Sequence, residues 1–293
     1  MNTFRNIFRW QNIGTIIFFI LNFGSLVIIF SPAGFASPTF FIILCLYILS
    51  VLIFLSPFGE WVISVFAGAK EMKRKDMQIR MIPLIEIVYN RAKKEEPHMV
   101  NSIRLKIIQD PTPNAYALGR KTICVTEGLF ALPDDLIMGI LAHEMGHLAY
   151  RNTEVQLIIG GANFLISVFL LFIKLIAWTI TGIFGLIAIG MRKLSTGCLI
   201  GLIGSFSTLL VFLWTKFCML FLMWSARKNE FLADKFAWKI GFGEKLAAIL
   251  DLYPEAPPKS SFIRAFYKKH PNSSDRIARL QELGVNYSRW QFV

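Results

Sequence analysis

Residues 143–147 read His143-Glu144-Met145-Gly146-His147, with two histidines four positions apart. Upstream, Pro133 followed by two aspartates and an apolar run is typical of a helix start, so one helix is predicted from there through His147. Residues four apart share a helix face, and both imidazoles are therefore expected to bind one zinc ion. Glu144 cannot share that face with both ligands, but it is placed to take a proton from a water that the metal holds.

The alternative is that this motif arose by chance in a polar helix. With 4 histidines and 12 glutamates in 293 residues, the motif is expected at random on the order of once in several hundred such chains. Two of the four histidines lie within this five-residue window. Chance is therefore a poor explanation.

A catalytic zinc site usually has three protein ligands, so a third ligand is expected elsewhere in the chain. Glu230 and Asp234 lie four residues apart in a helix-compatible segment. Glu230 is predicted to be the third ligand. Asp234 is predicted to accept the free imidazole N–H of a ligand histidine, most simply His143. The alternative is an acidic pair on a solvated helix surface.

The composition indicates a membrane protein, because 55% of the residues are hydrophobic and only 17% are charged. Crossing the hydrocarbon core takes about 20 helical residues, and four apolar stretches reach or approach that length. The first of them could instead be a signal peptide. The four cysteines form no CxxC pair, so neither a disulfide framework nor a cysteine zinc knuckle is predicted. The predicted spans are about 13–30, about 39–58, one within 155–190, and about 197–224.

Basic residues predict the orientation of the spans. The net charge is +12, and Lys and Arg residues precede the first span and follow the second, whereas the loop of residues 31–38 between them is uncharged. The positive-inside rule therefore places both ends of this hairpin in the cytoplasm. The same placement favours contact with anionic lipid headgroups over a nucleic-acid surface. The basic residues are Arg5, Arg9, Lys70, Lys73, Arg74, Lys75 and Arg80.

The fold class predicted is a mainly α integral membrane protein with about four transmembrane helices and an α+β catalytic domain. Strands are predicted at 104–108 and 122–126, with a short third one at 115–117. His143 and Glu230 lie on opposite sides of an apolar block, so they can meet only if that block crosses the membrane an even number of times. The predicted divisions are an N-terminal transmembrane hairpin at 1–66, the first part of the catalytic domain at 67–154, a second transmembrane hairpin at 155–224, and the second part of the catalytic domain at 225–293.

The sequence resembles the HtpX-type membrane metalloproteases, relatives of the CAAX prenyl endopeptidases in the gluzincin group. The resemblance spans nearly the whole chain and rests on residues 143–147, on Arg227-x-x-Glu230-x-x-Ala233-Asp234, and on the membrane hairpin between them. Residues 113–119 match an Asn-Ala-aromatic-Ala-x-Gly segment, and His270-Pro271 followed by Arg276-Ile277 matches a C-terminal His-Pro motif. The resemblance implies a zincin-like (gluzincin) fold for the catalytic domain.

The resemblance also implies a function. It predicts a zinc-dependent endopeptidase with one zinc ion per chain, hydrolysing misfolded or damaged membrane proteins in a bacterial inner membrane. The catalytic domain and both termini are expected to face the cytoplasm. The expected partners are polypeptide substrates and the lipid bilayer, and no nucleic acid. Two alternatives stay open: a processing protease of narrow specificity for lipidated or signal-bearing peptides, and a catalytically silent membrane scaffold that binds zinc.

Two further segments gain roles from the resemblance. The family places a substrate-binding edge strand at Asn114-Ala115; the alternative for Asn114 is a turn residue after a proline. His270 is implied to donate a hydrogen bond to the developing oxyanion. The alternative for His270 is a loop residue before a helix capped by Ser273 or Ser274.

Two positions depart from the family pattern. Ala226 stands where a serine is common, and Asn152 stands where an aspartate usually follows the active helix. Neither side chain is expected to touch a proposed ligand. Asn152 is expected at most to cap the next helix.

Overall fold

The computed structural model describes residues 10–31, 34–190, 194–252 and 272–288. Within them the chain is mostly helical, with one small sheet. In chain order the elements are α1 (Ile13–Phe30), α2 (Pro38–Leu55), α3 (Pro57–Phe66), β1 (Ala69–Glu71), α4 (Lys75–Glu95), β2 (Arg104–Ile108), β3 (Ala115–Leu118), β4 (Thr122–Thr126), α5 (Asp134–Ala149), α6 (Asn152–Gly190), α7 (Leu194–Lys239), α8 (Gly243–Leu252) and α9 (Ser273–Glu282).

The chain divides into two compact units. The membrane unit consists of the described residues within 14–53 and 159–223. The sheet unit consists of the described residues within 1–13, 54–158 and 224–293. The four divisions drawn from the sequence stay predictions.

Three described helices of the chain are long and apolar enough to cross a membrane: Ile13–Phe30, Pro38–Leu55 and Asn152–Ile187. In the membrane unit, polar side chains join them. Asn22 Nδ2 donates to Asn163 Oδ1 at 3.2 Å, and Ser50 Oγ donates to the carbonyl of Gly161 at 2.9 Å. Such hydrogen bonds between apolar helices fix their register where the hydrophobic effect does not.

The ends of the predicted spans differ in places from the helices observed. The second predicted span, about 39–58, ends instead at Leu55, because the Ser56 side chain caps the new helix α3 and Pro57 stands at its start. The fourth predicted span, about 197–224, lies within α7. Most of its side chains are outside the described part of the chain, so the count of four spans stays a prediction.

The sheet has four strands in the order β1-β2-β4-β3. β2 and β4 are parallel, and β3 pairs with β4 in the antiparallel sense, with Ala117 opposite Ile123. β3 is therefore an edge strand. Strands β2 and β4 have the predicted bounds, β3 extends one residue beyond its prediction to Leu118, and β1 was not predicted.

Helix α5 lies at the centre of the sheet unit, where other elements of that unit pack against both of its sides. Its C-terminal half is buried from Leu141 to Ala149. An added Cβ at Gly139 would stand 2.8 Å from the backbone nitrogen of Leu246 in α8, so glycine permits the close approach of these helices. At the other end, Arg80 of α4 donates to the carbonyl of Leu132 at 2.6 Å and pairs with Asp134, which fixes where α5 begins.

Candidate metal centre

The two histidines of α5 turn toward the same point. Their ring centroids are 4.8 Å apart and the ring planes lie at 86°. His143, Glu144 and His147 are all buried, and ligand atoms of the three lie within 4.8 Å of one another. A helix that carries three ionisable groups through a core needs a compensating charge or ion there, since an unpaired buried charge is costly.

Glu230 of α7 faces both imidazoles. Its Oε2 lies 3.3 Å from Nε2 of His143, and its Oε1 lies 3.4 Å from Nε2 of His147. Gly146 makes this approach possible, because an added Cβ there would stand 2.8 Å from the Cα of Ala233. The glycine inside the motif and the alanine three residues after Glu230 thus set the distance between α5 and α7.

The donor set fits a zinc ion. Atoms bound to a tetrahedral zinc at about 2.0–2.1 Å each stand about 3.3 Å from one another. The 3.3 Å and 3.4 Å separations between the Glu230 oxygens and the two Nε2 atoms meet that spacing. Two imidazole nitrogens and one carboxylate are also the ligand set of several catalytic zinc sites.

On its Nδ1 side, His143 contacts a buried aspartate, and this aspartate pairs with a buried arginine. His143 Nδ1 is 2.8 Å from Asp234 Oδ1, and Arg276 of α9 donates to Asp234 from Nη2 at 2.7 Å and from Nε at 2.9 Å. Arg276 is only 2% exposed. Asp234 therefore fixes the ring so that Nε2 points to Glu230, and Arg276 in turn fixes the carboxylate.

These contacts shift the pKa values of His143 and Asp234. Burial and the Arg276 guanidinium both lower the pKa of His143, but Asp234 and Glu230 outweigh them and raise it to about 10. Burial raises the pKa of Asp234, yet Arg276 and His143 bring it down to about 2. Asp234 and Glu230 thus favour the protonated form of His143. A metal dication would take the place of that proton.

Glu144 is oriented by the edge of the sheet. The backbone N–H of Ala117 in β3 donates to Glu144 Oε2 at 2.6 Å. Alternate peptide groups of a strand point to opposite edges, so the peptide groups of Ala115 also face away from β4. The free edge of β3 and the glutamate therefore border the same space.

His147 has a partner that the sequence did not predict. Asn152 Nδ2 lies 3.3 Å from His147 Nδ1, and Asn152 is buried. The expectation that Asn152 would touch no proposed ligand was wrong, because the turn after α5 folds the start of α6 back onto the histidine. With Nε2 facing Glu230, the Nδ1–H needs an acceptor, and a 180° turn of the Asn152 amide would present its oxygen in place of Nδ2.

The remaining predicted site residues lie at the start of β3 or outside the described part of the chain. The N–H of Asn114 donates to Thr126 Oγ1 at 2.8 Å, and Asn114 Oδ1 accepts from the N–H of Ala115 at 2.8 Å. Both predictions about Asn114 are compatible with this turn-like contact, and its role stays a prediction. His270 is outside the described residues.

Comparison with known proteins places this arrangement in a family. The sequence profile described as Peptidase family M48 matches residues 83–284, which include every described group of the pocket. The chain belongs to peptidase family M48. Its predicted kinship with the HtpX-type metalloproteases is confirmed, since its curated relatives carry that name.

The relatives are similar at a modest level. "Protease HtpX homolog" of Desulfotalea psychrophila is 26% identical over 192 residues, covering 58% of this chain and 64% of that protein. "Protease HtpX homolog" of Tropheryma whipplei (strain Twist) is 28% identical over 208 residues, covering 62% and 66%. The chain thus spans just under two thirds of the length of these relatives. A solved structure, "Crystal Structure of S. mikatae Ste24p", is 15% identical with a TM-score of 0.42, covering 92% of this chain and 65% of that one.

The M48 pocket contains one charged group whose role the sequence did not reveal. In the sequence Arg276 belongs to the His-Pro motif, beside an apolar face formed by Ile277, Leu280 and Leu283. Position 276 precedes the fully buried Leu280 by four residues, which is the signal that could have placed it in the core. The cap of that helix was also predicted wrongly, since Asn272 rather than a serine accepts the N–H of Ser274.

Replacing Gly146 with Ala is expected to lower the free energy of unfolding by about 1–3 kcal/mol, the range for overpacked cores. The new methyl group would meet the backbone of Ala233 at 2.8 Å, and backbone cannot move aside as a side chain can. Bound zinc should fall as well, because α5 and α7 carry the ligands. Thermal unfolding and metal content of the purified protein measure both effects.

Gly182→Ala is the matched control for this substitution. An added Cβ at Gly182 would meet nothing within 4 Å. Equal melting temperatures for the two variants would contradict the close packing of α5 on α7.

Proposed function

We propose that the protein is a zinc-dependent endopeptidase of the membrane. The observation that carries the proposal is the convergence of His143, His147 and Glu230 at zinc-ligand spacing, beside a buried Glu144. Three protein ligands leave one coordination position for water or substrate, which is the arrangement of catalytic rather than structural zinc.

In this proposal His143 and His147 would hold the ion through Nε2, and Glu230 would hold it through its carboxylate. Bound there, zinc supplies the Lewis acidity that polarises a peptide carbonyl and makes water acidic enough to attack near neutral pH. Asp234 holds the Nδ1 proton of His143, which makes the ring a better ligand. Arg276 keeps Asp234 ionised.

Glu144 is the proposed general base. Its Oε2 accepts the N–H of Ala117, which leaves the other oxygen to take a proton from the attacking water. The same carboxylic acid then gives the proton to the nitrogen of the leaving amine. His270 is proposed to assist at the oxyanion.

The free edge of β3 is the proposed substrate-binding strand. An extended peptide can donate hydrogen bonds to the outward-facing carbonyls of Ala115 and Ala117, whose own N–H groups donate to Asn114 and Glu144. Asn114 precedes this edge, and its side-chain oxygen accepts the first N–H of the edge, that of Ala115. Backbone pairing of this kind recognises chain conformation more than sequence, which suits substrates that share only an unfolded segment.

Topology and charge support the proposed location. His143 and Glu230 lie in the same unit, which supports a block between residues 159 and 223 that starts and ends on one side of the membrane. Two crossings satisfy this. The basic residues after α2 support the proposal that this side is the cytoplasm, and a bacterial inner membrane is the proposed location. Damaged or misfolded membrane proteins are the proposed substrates.

Glu230→Ala is expected to remove most of the zinc from a site that holds one ion per chain in the wild type. The carboxylate bridges the two imidazoles, and two histidines alone leave the ion short of a ligand. Elemental analysis after desalting measures the zinc content. Glu244→Ala, at an exposed position of α8, is the matched control and should keep its metal. Wild-type zinc content in Glu230→Ala would rule out this ligand set.

Casein digestion by the purified protein tests the activity itself. Cleavage should stop with a zinc chelator and return when zinc is restored. A protein that binds zinc but leaves casein and unfolded membrane proteins intact would instead be a scaffold. Cleavage confined to a lipidated or signal-bearing peptide would indicate a processing protease.

A further inference from the structure

Helix α3 has the reverse of the polarity expected for a helix in water. Phe58, Trp61 and Val65, spaced i, i+3 and i+7, are 57%, 58% and 56% exposed. The inward face carries small residues, Gly59 and Ser64, both buried. A helix of a soluble domain places its large apolar side chains inward. The outward apolar face of α3 therefore needs an apolar environment.

The chain reaches α3 directly from a candidate membrane span. α2 ends at Leu55, and only Ser56 separates it from α3. The turn is tight, because an added Cβ at Gly59 would stand 2.0 Å from the carbonyl oxygen of Phe54. Ser56 accepts the N–H of Phe58 and begins the new helix. Helix α3 thus lies one short turn from the membrane boundary.

The charges that follow α3 fit the surface of a bilayer. Within the nine residues after the helix ends at Phe66, four basic residues are exposed, Lys70, Lys73, Arg74 and Lys75, against one exposed acidic residue, Glu71. Basic residues beside a membrane attract anionic headgroups. Tryptophan, in turn, concentrates at the boundary between headgroups and acyl chains.

We propose that α3 lies in the interface of the phospholipid bilayer, with Phe58, Trp61 and Val65 among the upper acyl chains. This is the geometry of an in-plane amphipathic helix. The inner face of α3 contacts the sheet. Glu60 Oε1 accepts the N–H of Arg120 at 2.8 Å, and Arg120 lies in the turn between β3 and β4. Ala67, just after the helix, packs with Ile108 and Cys124 of the strands.

The consequence concerns where substrates are cleaved. Because α3 is joined to the β3–β4 turn, the bilayer surface holds the free edge of β3 close to the headgroups. Segments that emerge from the membrane then reach this edge at a high effective concentration. This second step rests on the proposed peptidase function, whereas the position of α3 in the interface does not.

The depth of Trp61 tests the position of α3. Full-length protein is reconstituted in phosphatidylcholine and phosphatidylglycerol vesicles whose acyl chains are brominated either near the headgroup or near the tail. The fluorescence difference between the wild type and Trp61→Phe gives the signal of Trp61. We expect this signal to be quenched most by bromine near the headgroup and little by aqueous acrylamide. Trp238→Phe, which removes a ring packed on the core of the sheet unit, is the control and should leave the amplitude of the lipid-quenched signal unchanged.

Two results would overturn the proposal. Quenching of the Trp61 signal by acrylamide and not by brominated lipid would place α3 in water. Protection from both quenchers would mean that a protein segment covers it.

A paired cleavage assay tests the consequence. The triple variant Phe58→Ser/Trp61→Ser/Val65→Ser is compared with the wild type on one unfolded peptide, supplied either free or anchored to a lipid. We expect cleavage of the anchored peptide to fall by about tenfold or more through loss of effective concentration, with the free peptide cleaved at the wild-type rate. Equal rates on both forms would contradict the surface-delivery role. A wild type that cleaves neither form would count against the peptidase function alone, since the quenching result stands without it.

Discussion

Glu144→Gln should lower the rate of casein cleavage by about 10²–10⁴-fold, the usual contribution of a positioned general base. The amide has the shape of the carboxylate and can still accept the N–H of Ala117, which donates to Oε2 at 2.6 Å in the wild type. It cannot take a proton from water. The three proposed ligands are untouched, so the zinc content should stay at one ion per chain. Initial rates and elemental analysis on the same preparation give both values.

Glu244→Gln provides the comparison for this loss. It makes the same chemical change at an exposed position of the sheet unit, and its rate should match the wild type. A Glu144→Gln protein that digests casein as fast as the wild type would end the general-base assignment. Loss of zinc together with activity would instead make Glu144 a group that holds the metal.

Local patterns predicted the parts of the molecule that depend on neighbours in sequence. The spacing of His143 and His147, the helix start after Pro133, and the β2 and β4 bounds all follow from periodicity and turn chemistry. The pairing of a distant carboxylate with the histidines was predictable because a zinc site requires a third ligand. The structure brings Glu230 to that position, although its role as a ligand stays a prediction.

Contacts that depend on tertiary packing could not be predicted from the sequence. Asn152 meets His147 because the chain turns sharply after α5, and nothing in the sequence fixes that turn. The predicted span of about 39–58 passed the end of α2 at Leu55 and included the first two residues of α3, since hydropathy alone does not tell a span from an interfacial helix. Arg276 is the clearest case. A cation 42 residues from its partner leaves no spacing signal, and exposed arginine is the usual expectation.

Arg276→Met should lower the free energy of unfolding by about 3–5 kcal/mol, the cost of removing one partner from a buried ion pair. Methionine has a similar length and no charge, so Asp234 would remain buried, with His143 as its neighbour at 2.8 Å. Desolvation would then raise the pKa of Asp234 again, because the guanidinium that lowers it is gone. A less anionic Asp234 holds the Nδ1 proton of His143 less firmly. Zinc affinity should therefore fall about 10–100-fold, as when outer hydrogen-bond partners of metal ligands are lost.

Arg279→Met separates this electrostatic effect from the loss of any arginine in α9. Arg279 is exposed and stacks over Phe231 at 3.5 Å, so its replacement should cost no more than about 1 kcal/mol. The double variant Asp234→Asn/Arg276→Met removes both charges. It should regain much of the stability lost in Arg276→Met without regaining zinc affinity, because the neutral amide cannot replace the carboxylate behind His143. If Arg276→Met and Arg279→Met melted at the same temperature and bound zinc equally, Arg276 would have no part in organising the metal centre.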